Sequence, residues 1–556
     1  MKIIFKTFLF AVTALAITAC GSVASLTLTK VENIDNRPLK VTPLSEEELK
    51  IWWHLDIEKD TVPGMSVIRT YDEIIKNKKG KPVIVAIVDS GTDIEHEDLK
   101  NVLWVNKKEI PNNGIDDDNN GYIDDVHGWN FLGDIVGENM EFVRIIKKLA
   151  PKYEGKSESS ISSSEQDEYK LYKKAKAEYE KEIQEAQGAY MQYNAMLEQI
   201  KPAHEKVVAK LGKEDYNADD LNTLKNDSSL QQEVAILTQM LNYGEPIADI
   251  VKQLDGGVKY FKSRLDNHFN LDEDFRGVLG DNPDDINDVP IGDHKVIGPE
   301  ADKAHTKHGT HVTGIVAAQR DNGIGMNGVA NNVQIMTLRA VPDGDEYDKD
   351  VALSIRYAVD NGARVINGSF GKNYSTNPQW VYDAIKYAAE KDVLFVHAAG
   401  NDGFDLDDGI ENYPNDQTNN YDEFANNFLN VGALTPKYGP EMVAGFSNYG
   451  KHQVDVFAPG SQIYATVENN GYEFLQGTSM ASPAVAGVAA MLFSYFPELT
   501  AAQVKQIIMD SGVTTNIPVI LGGEPDNQRP FSEISKSGKM VNMYNAFLMA
   551  EQIIKK

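Results

Sequence analysis

The chain has 556 residues, with 83 acidic against 54 basic side chains, a formal net charge of −29, 42% hydrophobic residues and 25% charged residues. That balance excludes wholesale disorder, a polytopic membrane protein and a nucleic-acid binder held by a basic surface. Cys20 is the single cysteine, which also excludes intramolecular disulfides and cysteine-pair metal sites.

Residues 1–19 read as an export signal. Lys2 and Lys6 give a basic start, and Phe8 to Ala19 carries no charge yet is too short to span a bilayer core. Ile17-Thr18-Ala19-Cys20 resembles a bacterial lipobox, which implies acylation of Cys20 and a membrane anchor through that N-terminal lipid. The expected location is exported, on the periplasmic or cell-surface side. A plain secretory signal cut near Ala19 or Gly21 is the alternative. Residues 20–45 read as a linker, and 46–78 as a helical entry segment carrying Trp52, Trp53 and Leu55. Part of the stretch between Cys20 and Lys81 reads as this entry helix, so a separate compact pro-domain is not expected there.

Val83 to Val88 is a continuous, mostly β-branched run that ends in Asp89-Ser90-Gly91. Such a run predicts a central strand of a parallel sheet, buried on both faces. Similar runs recur at Val333–Leu338, Val365–Ile366, Val393–Val396 and Val454–Phe457, with helical patterns at Asp348–Val359 and Pro378–Glu390 between them. This alternation predicts a three-layer α/β fold with a central parallel sheet.

The middle of the chain differs. From Glu165 to Ile200 the apolar or small positions step by three or four, which predicts a long helix ending at Pro202. Leu230–Leu241 and Ile247–Phe261 read as returning helices, and the serine-rich stretch 155–168 as a flexible link. A mainly helical insertion, a long hairpin rather than a compact domain, is therefore expected at 133–294. It divides the α/β domain into 46–132 and 295–515. Residues 516–556 form a C-terminal extension with one helix, Val541–Ile554.

Three separated segments carry chemistry: Asp89-Ser90-Gly91, His308-Gly309-Thr310-His311 and Gly477-Thr478-Ser479-Met480. Asp89 ends a buried strand, where clefts form in α/β sheets. Ser479 precedes an apolar helix, whose N-terminal N–H groups suit a developing oxyanion. Two further segments, Ser369-Phe370-Gly371 and Ala398-Ala399-Gly400-Asn401, lie between the second and third. Together, in this order, they resemble the subtilisin-like serine proteases (subtilases), whose triad members run Asp, His, Ser.

The resemblance implies a subtilisin-like fold and an exported serine endopeptidase acting on proteins or peptides through an acyl-enzyme. It implies Asp89, His308 and Ser479 as the triad and Asn401 as oxyanion donor. It implies Ser369, Phe370, Gly371, Ala398, Ala399 and Gly400 as substrate-binding residues, and no organic cofactor. His311 is structural in the family pattern. Departures from that pattern are Gly368, His397 and Ala484, none of them catalytic, so the chemistry stands while specificity does not carry over. The three-residue recurrence of His305, His308 and His311 also allows a metal cluster, but no zinc-hydrolase carboxylate motif accompanies it. A catalytically silent scaffold that binds a partner through its helical insertion is the other alternative, against which the intact triad argues.

The acidic residues cluster. In Glu109–Asp125, Asp116, Asp118, Asn120, Tyr122 and Asp124 fall at positions 1, 3, 5, 7 and 9 of a calcium-type loop, with Gly121 at position 6 and His127 in place of the closing Glu. A structural Ca²⁺ is expected there. Asp272–Asp293 and Asp402–Glu423 are also acid-rich. The second follows the oxyanion segment and reads as a solubilising loop or a further cation site, with a cleft rim that favours basic peptides as the alternative. Bound cations are expected to offset part of the net charge.

Overall fold

The structure is a computed structural model, and it describes residues 34–35, 42–242, 244–301, 303–417 and 421–555. The expected signal, Cys20 and most of the linker lie outside the described residues. Within the described residues no helix is long and apolar enough to cross a membrane.

The core is a seven-stranded sheet. Its strands are β1 (Val83–Asp89), β2 (Gly128–Asn130), β3 (Val333–Arg339), β4 (Val365–Gly368), β5 (Leu394–Ala398), β6 (Phe428–Leu434) and β7 (Val456–Pro459). Their spatial order is β2-β3-β1-β4-β5-β6-β7, and every pairing is parallel. The reason for the unbroken apolar run in β1 is now visible. Val83, Val85 and Ile87 enter one apolar cluster with Val312 and Val485, while Ala86 and Val88 enter the other with Ile355 and Ile385. The first cluster holds the helices Lys307–Ala317 and Thr478–Tyr495, and the second holds Asp348–Asp360 and Pro378–Glu390. This is the three-layer α/β subtilisin-like fold. Thr478–Tyr495 is apolar on all sides and almost wholly buried, as a helix crossing a core must be.

Two hairpins form separate two-stranded sheets. β8 (Ile463–Val467) pairs with β9 (Gly471–Leu475), and β10 (Pro518–Leu521) with β11 (Glu524–Pro530). The second hairpin corrects the expectation of a single helix after residue 515. The polar run of β11 has no apolar alternation to announce it. The final helix is Met543–Ile554, and Met543, Ala546 and Phe547 join the core. The entry segment is also not one helix. It breaks into Glu46–Ile51, a 3-10 turn at Trp52–His54, and a helical stretch starting at Val67. Trp52 and Trp53 are buried in the core.

Between β2 and the Lys307–Ala317 helix lies the helical insertion. Its longest helix, Gln166–Leu211, runs 46 residues straight through Pro202, contrary to the expected stop. A proline inside a helix costs about 3 kcal/mol. Here Ile200, Ala203 and Val207 on both sides of it pack against Leu221, Leu237 and Leu254, which holds the helix together until the left-handed Gly212 ends it. Ile247–Ser263 returns along it, and Ala218–Leu224 and Gln231–Leu241 close the tip around that second cluster. The tip is thus a small core of its own rather than a bare hairpin. The serine-rich stretch forms two short 3-10 turns, Glu158–Ser160 and Ser163–Glu165, instead of an open link. At the base, Phe142, Ile146, Tyr153, Tyr169 and Phe269 pack with Tyr374 of the α/β domain. Asn130 and Asp293 exchange backbone hydrogen bonds of 2.8 and 2.9 Å where the insertion leaves and rejoins.

Candidate active site

The three segments singled out in the sequence converge at the C-terminal edge of the sheet. Asp89 ends β1, and its Oδ1 accepts from His308 Nδ1 at 2.7 Å and from the Ser90 N–H at 2.7 Å. His308 sits in the first turn of its helix, next to Gly309. A Cβ on Gly309 would lie 2.1 Å from the Gly91 carbonyl oxygen, so only glycine lets this helix approach β1 closely enough for the pair to form. Burial pulls the His308 pKa down, but the Asp89 carboxylate outweighs it and leaves the imidazole above its usual 6.5.

Ser479 is the second residue of Thr478–Tyr495. Its backbone N–H lies in the first turn, where a helix offers it no acceptor. Its Oγ donates to the Ser369 carbonyl at 3.2 Å, and Ser369 Oγ donates back to the Ser479 carbonyl at 2.9 Å. Among the described residues no hydrogen bond joins Ser479 to His308. Long or absent catalytic hydrogen bonds are common in substrate-free sites.

Asn401 follows β5 in the Ala398-Ala399-Gly400 turn. Its Oδ1 accepts from the Thr478 N–H at 2.8 Å and from Thr478 Oγ1 at 3.1 Å. The amide oxygen is thereby occupied and the NH₂ group is left to donate beside Ser479. Asn448 shapes the same turn, donating to the Ala399 carbonyl at 3.0 Å and accepting from the N–H groups of Asp402 and Phe404. Gly400 has φ +100°, and a Cβ there would meet Asn448 Nδ2 at 2.3 Å. Thr478 and Asn448 were not singled out by sequence. Thr478 stood beside the serine as a signal, whereas Asn448 lies 47 residues beyond Asn401 in a loop without any.

Ser369, Phe370 and Gly371 extend from β4 along one wall. His397 is fully buried and binds the Phe370 carbonyl through Nε2 at 2.7 Å; burial holds its pKa down near 4, so it is a neutral donor that steadies this wall. A cavity of about 350 Å³ opens on one side of Ser479, lined by Phe370, Gly371, Ala398, Gly400 and Asn401. A second, of about 640 Å³, opens beside Asp89, Ser90, His308 and Ser369.

The histidines at three-residue spacing do not meet. His305 binds Glu300 at 2.8 Å and the Ile297 carbonyl at 2.5 Å. His311 is buried and donates through Nε2 to the carbonyls of Ile463 and Glu473, at 3.1 Å each; burial pulls its pKa to about 3.

In the acidic loop, oxygens of Asp116 and Asp118 converge with one of Glu109, all within 4.8 Å of one another. Three carboxylates suit a hard divalent cation. Glu109 lies outside the loop spacing and was not singled out. The other expected ligands turn elsewhere: Asp124 accepts from the N–H groups of Asn113 and Gly114, Asn120 donates to Asp125, and the Tyr122 ring packs on Trp129 and Tyr357.

The model of the subtilase family matches residues 250–530. The chain belongs to the subtilase family. It is 42% identical over 188 residues to a thermophilic serine proteinase of Bacillus sp. (strain AK1), which is 34% of this chain and 42% of that protein. It is 36% identical over 211 residues to subtilisin DY of Bacillus licheniformis, 38% of this chain and 71% of that protein. It is 35% identical over 219 residues to thermitase of Thermoactinomyces vulgaris, 39% of this chain and 72% of that protein. The matches thus span less than half of the strain AK1 proteinase.

The matched region of this subtilase begins inside the helical insertion and leaves out Asp89, which the sheet returns to His308. The insertion also reaches the cleft. Glu141 accepts from Lys372, one residue beyond the Ser369–Gly371 wall, at 3.0 Å, and pairs with Arg144. Glu141 and Lys372 are both buried, and the two cations hold the Glu141 pKa near 2 against its burial. His268 and Ser263 bind Asp343, which lines the cavity beside His308, at 3.1 and 2.8 Å. Most carboxylates of Asp402–Glu423 are held by side chains instead of rimming the cleft. Asp405 pairs with Arg529, Asp407 with His452, Glu411 with Lys174 and Glu423 with Lys505.

Proposed function

We propose that this subtilase is a serine endopeptidase that hydrolyses peptide bonds through an acyl-enzyme. The observation that carries the reading is the 2.7 Å bond from His308 Nδ1 to Asp89. It fixes the proton on Nδ1, so Nε2 is left as the base facing the cleft. Ser479 Oγ attacks the scissile carbonyl while His308 Nε2 takes its proton and then passes it to the leaving amine. Asp89 holds the imidazole and stabilises its cation. The Asn401 amide and the Ser479 N–H receive the oxyanion. Water then repeats the sequence on the acyl-enzyme, with His308 again as base. The decisive experiment is labelling with a fluorophosphonate probe: the natural chain is expected to label at Ser479 and Ser479→Ala to remain unlabelled. A folded natural chain that fails to label would return the scaffold reading.

Two further parts belong to the proposal. A structural calcium ion, held by Glu109, Asp116 and Asp118, supports the loop before β2 and takes no part in the chemistry. The chain is exported and anchored through acylated Cys20, a reading that rests on the charge and apolar pattern of residues 1–20. Fatty-acid labelling in cells should be lost in Cys20→Ser.

A further inference from the structure

The 350 Å³ cavity beside Ser479 is not built by the α/β domain alone. Its far side is made by the insertion, through Met140, Phe142 and Glu178. Glu178 lies on the Gln166–Leu211 helix, 87 residues beyond Gly91 and 130 before His308 in the chain.

The charges around the cavity are unequal in availability. Lys372 lines it, but its Nζ turns away to Glu141 and Asp348, at 3.0 Å each, and to the Glu346 carbonyl at 2.7 Å. Asp345 is buried, and its Oδ2 is taken by the Glu141 N–H at 2.7 Å. Lys174, one turn before Glu178, pairs with Glu411 at 3.2 Å and covers the Tyr374 ring. Lys181, one turn after, is largely exposed; it pairs with Glu182 at 3.5 Å, and the Glu178 carboxylate is the leading charge that raises its pKa. Glu178 itself is half-buried and has no hydrogen bond or ion pair among the described residues. Besides buried Asp345, Asp402 is the other carboxylate on the lining, exposed at the mouth. The cavity thus keeps at its far end a carboxylate that makes no hydrogen bond and shares only the field of exposed Lys181, and at its rim Asp402, which accepts from Asn448 Nδ2 at 3.4 Å.

The position of the cavity says which substrate residue enters it. A peptide lying on the Ser369–Gly371 wall, with its reacting carbonyl between Ser479 Oγ and the Asn401 amide, directs the side chain of the attacked residue into this cavity. The apolar walls from Phe370 and Phe142 suit a methylene stem, and the carboxylate beyond them suits a cation. We propose that Glu178, delivered by the insertion, makes this pocket selective for lysine or arginine at the residue whose carbonyl is attacked. The inference rests on the serine-peptidase reading for its meaning in catalysis, but the pocket itself can be tested by binding.

The test uses the full chain and a set of peptides that differ only at that residue: Lys, Arg, Leu, Phe or Glu. Hydrolysis is measured in the natural chain, Glu178→Gln and Glu178→Ala, and binding of the same peptides is measured in Ser479→Ala with and without Glu178→Gln. The expected result is a preference for Lys and Arg over Leu of roughly tenfold or more in kcat/KM, the worth of one charge-assisted contact. Glu178→Gln should remove that preference while leaving the Leu peptide within about twofold, because an isosteric amide keeps the shape and loses the charge. Binding should move in the same ratio. Equal or apolar-favouring rates in a chain that labels at Ser479 would overturn the inference and leave the peptidase reading standing. An equal loss for every peptide in Glu178→Gln would also overturn it, because Glu178 would then serve only the shape of the pocket. Charge-dependent binding in a chain that fails to label would uphold the pocket and remove the peptidase reading.

Discussion

Thr478 donates to Oδ1 of Asn401 twice, from its backbone N–H at 2.8 Å and from its hydroxyl at 3.1 Å. The two bonds decide which end of the Asn401 amide faces the cleft. An oxyanion needs a donor, and occupying the oxygen leaves the NH₂ group for it. Asn401→Ala should cost two to three orders of magnitude in kcat, by analogy with the oxyanion asparagine of subtilisin itself. Thr478→Val removes the hydroxyl bond to Asn401 and also the 3.1 Å bond that the hydroxyl accepts from the Gly400 N–H, and should cost roughly tenfold in kcat. Steady-state kinetics on one peptide check both.

Ser479→Ala should lower kcat by roughly six orders of magnitude and Asp89→Asn by roughly four, again by analogy with subtilisin. Both variants should unfold at denaturant concentrations close to that of the natural chain. Loss of activity with an unchanged unfolding midpoint separates a chemical role from a structural one.

The His308 pKa stands above 6.5. Catalysis needs the neutral imidazole, so kcat/KM should fall as pH drops through a midpoint above 6.5. The stability contribution of the pair has the opposite sense. The folded-state pKa is raised, so the His308–Asp89 interaction stabilises the fold most fully below the unfolded pKa and loses that contribution as pH rises through the folded one. A rate profile between pH 5 and 9, with thermal melts at the same pH values, tests both directions.

Glu141 and Lys372 form a buried pair between the insertion and the cleft wall. Glu141→Gln leaves the Lys372 ammonium with less compensation and should destabilise the chain by about 3–5 kcal/mol. KM should rise as well, because Gly371 precedes Lys372 in the wall. The Glu141 pKa is depressed, so its contribution is present above pH 4.5 and fades as pH falls toward about 2. Urea unfolding at pH 7 and pH 3 measures both effects.

Removal of calcium with EGTA should lower the melting temperature of the natural chain. Asp118→Asn should lower it without EGTA and make it insensitive to the chelator, since the carboxylate trio has lost one charge. A natural chain indifferent to EGTA removes the ion from the proposal.

Much of the fold was legible because burial leaves a mark. β1 shows an unbroken apolar run since both of its faces are covered, and Thr478–Tyr495 shows apolar residues on every side for the same reason. Asp89, His308, Ser479 and Asn401 were legible as short motifs. What escaped was set by tertiary packing. Pro202 reads as a stop, and only the cluster around Ile200 and Val207 keeps the helix going. β11 carries no apolar alternation. Glu178 and Glu141 look like any surface carboxylates of an amphipathic helix, and nothing local places them against a cleft formed by residues near 370 and 400. Asp124 and Asn120 fit a ligand spacing, but backbone N–H groups and Asp125 claim them first.

The hydrogen bonds between Asn130 and Asp293 carry one more implication. They bring the departure and return points of the insertion side by side at the end of β2. A segment with abutting ends can be gained or lost in a single genetic event without rerouting any strand of the sheet. In this chain such a loss would still be costly, because Lys372 would keep a buried charge without Glu141 and Tyr374 would lose its aromatic neighbours. Topologically the segment is an appendage, but energetically it has become part of the enzyme's wall.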